Sequence, residues 1–204
     1  TGEDCDEYFD LEFLKELKIL EGQVEFRPKL VSQMREQAKT INPQIFPALQ
    51  EKFPNYEVFS VEEGLYEPIN EFTEDSIKLK GFIDLVIKTE DGKYHVIDWK
   101  TCSWGWDREK RTDKLITYQL TLYKKFFCQK HNIDPNLVET HFALLKRTAK
   151  KENVEIFRVT SGSRKTANAT KLLTDALFNL KSGFPIKNRK SCSKCEFCKT
   201  EHCT

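Results

Sequence analysis

The stretch IKLKGFIDLVIKTEDGKYHVIDWK, residues 77–100, constrains the fold of this chain more than any other. Two apolar runs rich in β-branched residues flank TEDG, and its Asp91-Gly92 pair suits the left-handed backbone of a tight hairpin turn. The runs are therefore expected to pair as antiparallel strands. Each carries a carboxylate in apolar surroundings, Asp84 in GFIDLVIK and Asp98 in VIDWK. An unpaired buried carboxylate is costly, so each must meet a cation, coordinate a metal or turn to solvent. Asp84 lies seven residues before Asp91 and Asp98 six after Gly92, which sets them at about opposite positions across the hairpin. Side chains in a strand alternate, so Lys100 shares a face with Asp98, and Trp99 is expected to point to the opposite, buried face.

Two carboxylates converging beside an ammonium suit one kind of chemistry. The carboxylates can hold a hard divalent cation such as magnesium through oxygen. Such a cation polarises a phosphoryl oxygen and acidifies a bound water, while the lysine orients that water or stabilises developing negative charge. Phosphodiester hydrolysis most needs this combination. An Asp-x-Lys triplet alone also occurs on solvated strand faces, so its neighbours decide its meaning. In DKLITYQLTLYKKFFCQKH, residues 113–131, apolar residues recur at helical spacing behind Asp113, an expected N-cap. Gln119 and Tyr123 stand one helical turn apart on one face of that helix. The glutamine amide can bridge a metal-bound water and a phosphate, and the tyrosine hydroxyl can bond a phosphate oxygen or the ring stack near a base.

The remaining pattern sets an element order. EYFDLEFLKELKIL and KLVSQMREQAKTI have helical spacing, with a break expected near Pro43 or Pro47. YEVFSVEEGLYEP reads as a strand ahead of the hairpin, completing an antiparallel meander of three. LVETHFALLKRT and NVEIFRVT read as two further strands joined by the basic turn AKKE, followed by a helix that Ser163 is expected to cap and Gly183 to end. The expected organisation is one domain over 1–204: a helical part, 1–55; a core, 56–183; and a cysteine-rich tail, 184–204. With no apolar run long enough to span a bilayer and no basic-then-apolar N-terminus, the reading excludes a membrane protein and a signal peptide and expects a cytoplasmic location, in a host cell if the chain is viral.

Cysteine usage points to metal rather than disulfides. Of the seven cysteines, Cys192, Cys195, Cys198 and Cys203 crowd into CSKCEFCKTEHC, while Cys5, Cys102 and Cys128 are isolated. A clustered, odd set in a reducing compartment reads as thiolate ligation. The tight spacing leans toward an iron–sulfur cluster, with zinc as the alternative. Cys102 and Cys128 are expected to pack as small hydrophobes.

GFIDLVI, VIDWKT and YQLTLY, in that order and at that spacing, resemble the G-x-x-D, (D/E)-x-K and Q-x-x-x-Y motifs of RecB-like nucleases in the PD-(D/E)xK superfamily. The element order is likewise similar to that superfamily's αβββαβ core, an α/β fold with a mixed sheet flanked by helices. The resemblance covers roughly residues 56 to 203. It implies that Asp84 and Asp98 bind magnesium or manganese, with the backbone carbonyl of Trp99 as a further ligand. Lys100 would be catalytic, and Gln119 and Tyr123 would contact DNA or the catalytic water. A further acidic residue on the first strand is implied, Glu62 or Glu63, with Glu62 preferred. The leading-helix histidine of many members has no counterpart before His95, which leaves that role to Glu36 or Gln37, or vacant. Related exonucleases and CRISPR adaptation nucleases hold a four-iron cluster through three C-terminal cysteines and one N-terminal cysteine. Cys192, Cys195, Cys203 and Cys5 fit that set, and Cys198 is surplus to it.

A net charge of +1 excludes a global electrostatic binder, but local basic patches remain possible partners for phosphate. Three stretches are candidates: Arg108, Lys110, Arg111 and Lys114; Lys146, Arg147, Lys150 and Lys151; and Lys187, Arg189, Lys190 and Lys194. Trp104 and Trp106 in SWGWD could stack on bases or pack inside. The sequence thus reads as a metal-dependent DNA nuclease, an exonuclease by preference, serving recombination, repair, phage DNA metabolism or CRISPR adaptation, with a helicase or recombination protein as a possible partner. The rivals are an endonuclease of the same fold and a non-catalytic DNA-binding module with a structural zinc site.

Overall fold

The computed structural model of the chain describes residues 5–25, 27–72, 77–184, 192, 195–201 and 203. The Asp91-Gly92 turn forms as its chemistry demands: Gly92 has φ +78°, and the Thr89 N–H donates to the Lys93 carbonyl at 3.0 Å. It joins β2 (Lys78–Lys88) to β3 (Tyr94–Cys102) as antiparallel neighbours, and β1 (Glu57–Pro68) completes the meander on the far side of β2. A short helix, α1 (Cys5–Leu20), and a long one, α2 (Pro28–Lys52), precede them.

After β3 the chain crosses over through α3 (Arg108–Thr112) and α4 (Lys114–His131) and re-enters the sheet beside β3 as β4 (Val138–Lys146). A crossover helix returns a chain in the parallel sense, and β3 and β4 pair in parallel from Tyr94–Val138 to Cys102–Lys146. β5 (Val154–Val159) closes a sheet of order β1-β2-β3-β4-β5, and α5 (Ser163–Lys181) packs beside α4. The result is a mixed five-stranded sheet flanked by helices, the fold class expected from the resemblance.

Two apolar layers hold the sheet. One lies under α4 and α5 and includes Leu65, Ile83, Val86, Val96, Leu120, Phe126, Phe127 and Phe142. The other lies under α2 and includes Leu49, Phe53, Leu85, Ile87, Ile97 and Ala143. The central strand β3 is therefore buried on both faces. A buried side-chain amide ties α2 to the β4–β5 turn: Asn153, 2% exposed, exchanges hydrogen bonds with Gln44 at 2.9 and 3.0 Å and donates to the Lys146 and Ala149 carbonyls.

Three local expectations change. α2 runs unbroken through Pro43 and Pro47, because burial of Ile41, Leu49 and Phe53 along one face outweighs two missing backbone donors. Gln44 Nε2 bonds the Thr40 carbonyl at 2.9 Å in the same stretch. Gly162, not Ser163, is the N-cap of α5, with Ser163 already in the first turn. The five-residue α3 is too short to show a helical period. Asp113 caps α4 through the Leu115 and Ile116 N–H groups, and Gly183, at φ +70°, follows the end of α5, both as expected. Among the described residues no helix is long and apolar enough to cross a membrane.

Candidate active site

Strand register gathers three carboxylates into one row. β1 and β2 pair Val61 with Leu85 and Glu63 with Ile83, which sets Glu62 level with Asp84. β2 and β3 pair Leu85 with Ile97, and the next step of that register sets Asp84 level with Asp98. Backbone pairing of β2 with β3 stops there, and a side chain takes over: the Trp99 N–H donates to Asp84 Oδ2 at 2.6 Å. Asp84 is thereby oriented by the strand that carries Asp98.

Asp98 is only 2% exposed, and Lys100 Nζ stands 2.8 Å from its Oδ2. Oδ2 is thus a deeply buried carboxylate oxygen whose partner is the Lys100 ammonium. Burial raises the Asp98 carboxyl above its ordinary range; the Lys100 ammonium opposes the shift, and the Asp84 charge adds to it. Two facing carboxylates, one of them buried and raised by desolvation, fit a hard divalent cation bound through oxygen. Trp99 alternates to the other face, as expected, and packs against the layer under α2.

The helical residues approach the same face from α4. Gln119 Nε2 donates to Tyr123 Oη at 3.1 Å, so the two act as one polar unit. The Tyr123 ring lies over Gly81, where a Cβ would come within 3.0 Å of Tyr123 Cε1. Gly81 opens the G-x-x-D stretch that ends at Asp84, so its missing side chain seats the ring of the third motif beside the strand of the first. This glycine serves close approach rather than a turn.

Glu62 and Glu63 differ sharply in surroundings. Glu63 faces α4, where Lys130 Nζ and His131 Nε2 meet its Oε1 at 2.7 and 2.8 Å. Burial would raise its carboxyl, but the bonds from Lys130, His131 and Ser60 outweigh that and hold it below the usual range. Glu62 is exposed and has φ +49°, a left-handed conformation uncommon for a non-glycine residue. Glu36 is exposed and Gln37 half-buried on α2.

The candidate phosphate contacts separate likewise. Trp106 is buried, edge-on to Phe142 at 5.0 Å, while Trp104 is 71% exposed beyond the end of β3. Arg111 and Lys146 both meet Glu155, at 2.6 and 3.5 Å, so these two cations brace the β4–β5 edge. Lys187, Arg189, Lys190 and Lys194 lie outside the described residues, as does the side chain of Cys5.

In the tail, successive turns bring Cys195 N–H onto the Cys192 carbonyl and Cys198 N–H onto the Cys195 carbonyl. The Cys198 thiol is raised by burial and by the charges of Cys192, Cys203 and Cys195. Such a donor set fits a thiophilic metal. Cys128 is buried in the core, its thiol pushed up to about 11 by burial, and Cys102 packs at the edge of the same layer, both as small hydrophobes.

Two consequences are measurable. A raised carboxyl binds its proton more tightly folded than unfolded, so Asp98 favours the fold at acid pH and disfavours it once ionised. In chelator-treated protein, Asp98→Asn should melt higher than wild type at pH 7, and the gap should close as pH falls toward 4, near the carboxylate's unfolded pKa. Gly81→Ala should cost about 1–3 kcal/mol by crowding Tyr123. In a Tyr123→Leu background the same change should cost far less, a non-additivity that denaturant melts of the four proteins would show.

A family model described as the PD-(D/E)XK nuclease superfamily matches residues 2–203. A crystal structure of a "Putative exonuclease" from Eubacterium rectale superposes with a TM-score of 0.58 at 15% identity, covering 97% of this chain and 71% of that one. A structure of SSO0001 aligns over 94% of this chain and 77% of that one, with a TM-score of 0.46 and 17% identity. No curated protein matches the sequence. With the family model spanning nearly the whole chain, and the sheet order and carboxylate row already in place, the protein belongs to the PD-(D/E)XK nuclease superfamily.

Proposed function

We propose that the protein is a magnesium- or manganese-dependent deoxyribonuclease that degrades DNA from its ends. The observation that carries this is the pair Asp84 and Asp98, level across β2 and β3, with Asp98 buried and Lys100 on the same face. Asp84, Asp98 and the Trp99 carbonyl would hold the cation, with Glu62 as a third carboxylate on the row. When bound, the cation supplies Lewis-acid polarisation of the scissile phosphate and a more acidic water. The chain's own groups do the rest. The Trp99 N–H fixes Asp84, Lys100 brings a positive charge to where negative charge develops, and Gln119 with Tyr123 offers donors to a phosphate or the attacking water.

Action on ends rather than interior sites rests on the likeness to RecB-like enzymes. Recombination, repair or phage DNA metabolism, with a helicase or recombination protein alongside, is the setting such an activity suits. The tail would act as a metal staple, with an iron–sulfur cluster preferred on cysteine spacing and zinc as the alternative. Cys192, Cys195 and Cys203 would supply three of the ligands, with Cys198 or Cys5 as the fourth.

With magnesium or manganese, the purified protein should degrade linear duplex and spare closed circles; cutting of circles would make it an endonuclease. Lys100→Ala should lower the rate by at least about a hundredfold, the scale for losing one preorganised charge-stabilising group. Full-rate degradation by that variant would sink the mechanism. Glu62→Ala should lower cleavage with little change in melting temperature. Glu63→Ala should lower the melting temperature, by unpairing Lys130 and His131, with a smaller effect on cleavage; the opposite pattern would move the third carboxylate to Glu63.

A further inference from the structure

A second cluster of ligand atoms lies on the opposite face of β3. The parallel register sets His95 level with Glu139, and Ile97 level with His141. Alternation places all three polar residues with Ile97 and Ala143, on the face under α2 and away from Asp98 and Lys100. His95 Nδ1 and His141 Nε2 stand 3.1 Å apart, and Glu139 Oε2 lies 4.0 Å from the first and 3.9 Å from the second. The three ligand atoms fall within 4.8 Å of one another. Two nitrogens each about 2.05 Å from a tetrahedral metal sit about 3.3 Å apart, so the imidazoles are nearly in place and only the carboxylate must close in.

The surroundings orient these atoms as metal ligands need. Thr89 Oγ1 donates to Asp91 Oδ1 at 2.5 Å, so it accepts from His95 Nε2–H at 3.1 Å, and the His95 Nδ1 lone pair faces the cluster. A ligand histidine is held in just this way, by a hydrogen bond at its other nitrogen. His141 Nδ1 is buried without a partner among the described residues, so in the metal-free chain His141 Nε2–H donates to His95 Nδ1, and a metal taking the place of that proton would require it to move to His141 Nδ1. Burial holds the His141 imidazole neutral, its pKa pushed down to about 3 with help from His95, Lys52 and Arg158. Arg158 at 3.3 Å and Lys93 at 3.9 Å take the other oxygen of Glu139 and leave Oε2 toward the rings. Phe53 covers both rings, with centroids 4.6 and 5.0 Å away, and a cavity of about 370 Å³ gives access between Lys52, Asp91 and Arg158.

We propose that His95, Glu139 and His141 form a second metal site, separate from the Asp84–Asp98 centre, that takes a borderline divalent transition metal such as zinc, cobalt or nickel. Two imidazole nitrogens select such metals over magnesium, and the nearby cations discourage a hard ion held by charge alone. The bound metal would pin β3 to β4 beneath the end of α2.

The test uses the full chain in excess magnesium, titrated with zinc and followed by the NMR signals of the histidine rings, a readout the tail thiols do not share. The His95 and His141 rings should shift together and saturate while His131 stays in place. Glu139→Gln, a change at a half-buried position, should weaken that binding at least about tenfold, as should His141→Gln, and neither should alter magnesium-dependent cleavage. Glu139→Gln alone decides the matter if His141→Gln fails to fold. Unmoved His95 and His141 signals in several-fold excess zinc, or wild-type affinity in Glu139→Gln, would leave only a packed pair of neutral imidazoles and overturn the proposal.

Discussion

The structure turns on a conflict within β3, a strand buried on both faces that must nevertheless carry an aspartate near its C-terminal half. Val96 and Ile97 are fully buried, each in a different apolar layer, and Asp98 follows them at 2% exposure. An apolar residue at position 98 would suit the layer under α4 better, because burying a carboxylate opposes folding. The chain keeps the aspartate and surrounds it with partial compensation: the Lys100 ammonium, and Asp84 held in place by the Trp99 N–H. Lys100 does not fully offset the burial, since the Asp98 carboxyl stays above its ordinary range, and perturbed buried acids of this kind cluster at functional sites.

The topology makes that compensation possible. In an antiparallel hairpin the residues that face each other are fixed by the turn, so Asp91-Gly92 determines that Asp84 meets Asp98 and not a neighbour. Where the β2–β3 ladder ends, the freed Trp99 N–H finds a carboxylate instead of a carbonyl. The crossover through α4 then lays Gln119 and Tyr123 over β2, and Gly81 lets the tyrosine ring come close. Four elements meet at one end of the sheet because one turn and one crossover leave them no other register.

This logic also explains what the sequence revealed and what it hid. The hairpin, the Asp113 cap, the pairing of Asp84 with Asp98 and the turn of Trp99 to the opposite, buried face depend on local rules of period and turn chemistry, and all were legible. The continuity of α2 through Pro43 and Pro47 was not, since the packing of Leu49 and Phe53 that overrides proline is tertiary. The roles of Glu62 and Glu63 depend on which of them α4 meets, and Lys130 and His131 lie more than sixty residues away in the chain. Gly81 looked like part of a motif; only the Tyr123 ring shows what its missing Cβ admits. His95, Glu139 and His141 were least legible, because the parallel register of β3 and β4 is set by a crossover of more than thirty residues, not by a turn.

The strained backbone at Glu62 belongs to the same argument as the buried Asp98. A left-handed glutamate on an edge strand costs conformational energy that glycine or asparagine at that position would avoid. Glu63, one residue on, is held by Lys130 and His131 on α4, and that anchorage fixes the strand on one side of the irregularity. Ser60 marks the other side, where the register with β2 shifts after Val58. Glu62 is thus confined between two fixed points, level with Asp84 and exposed at the open edge of the row. Stability alone would favour a relaxed residue at 62 and an apolar one at 98. The chain nevertheless carries acids at both, in one row across three strands, which is what the proposed cation site requires.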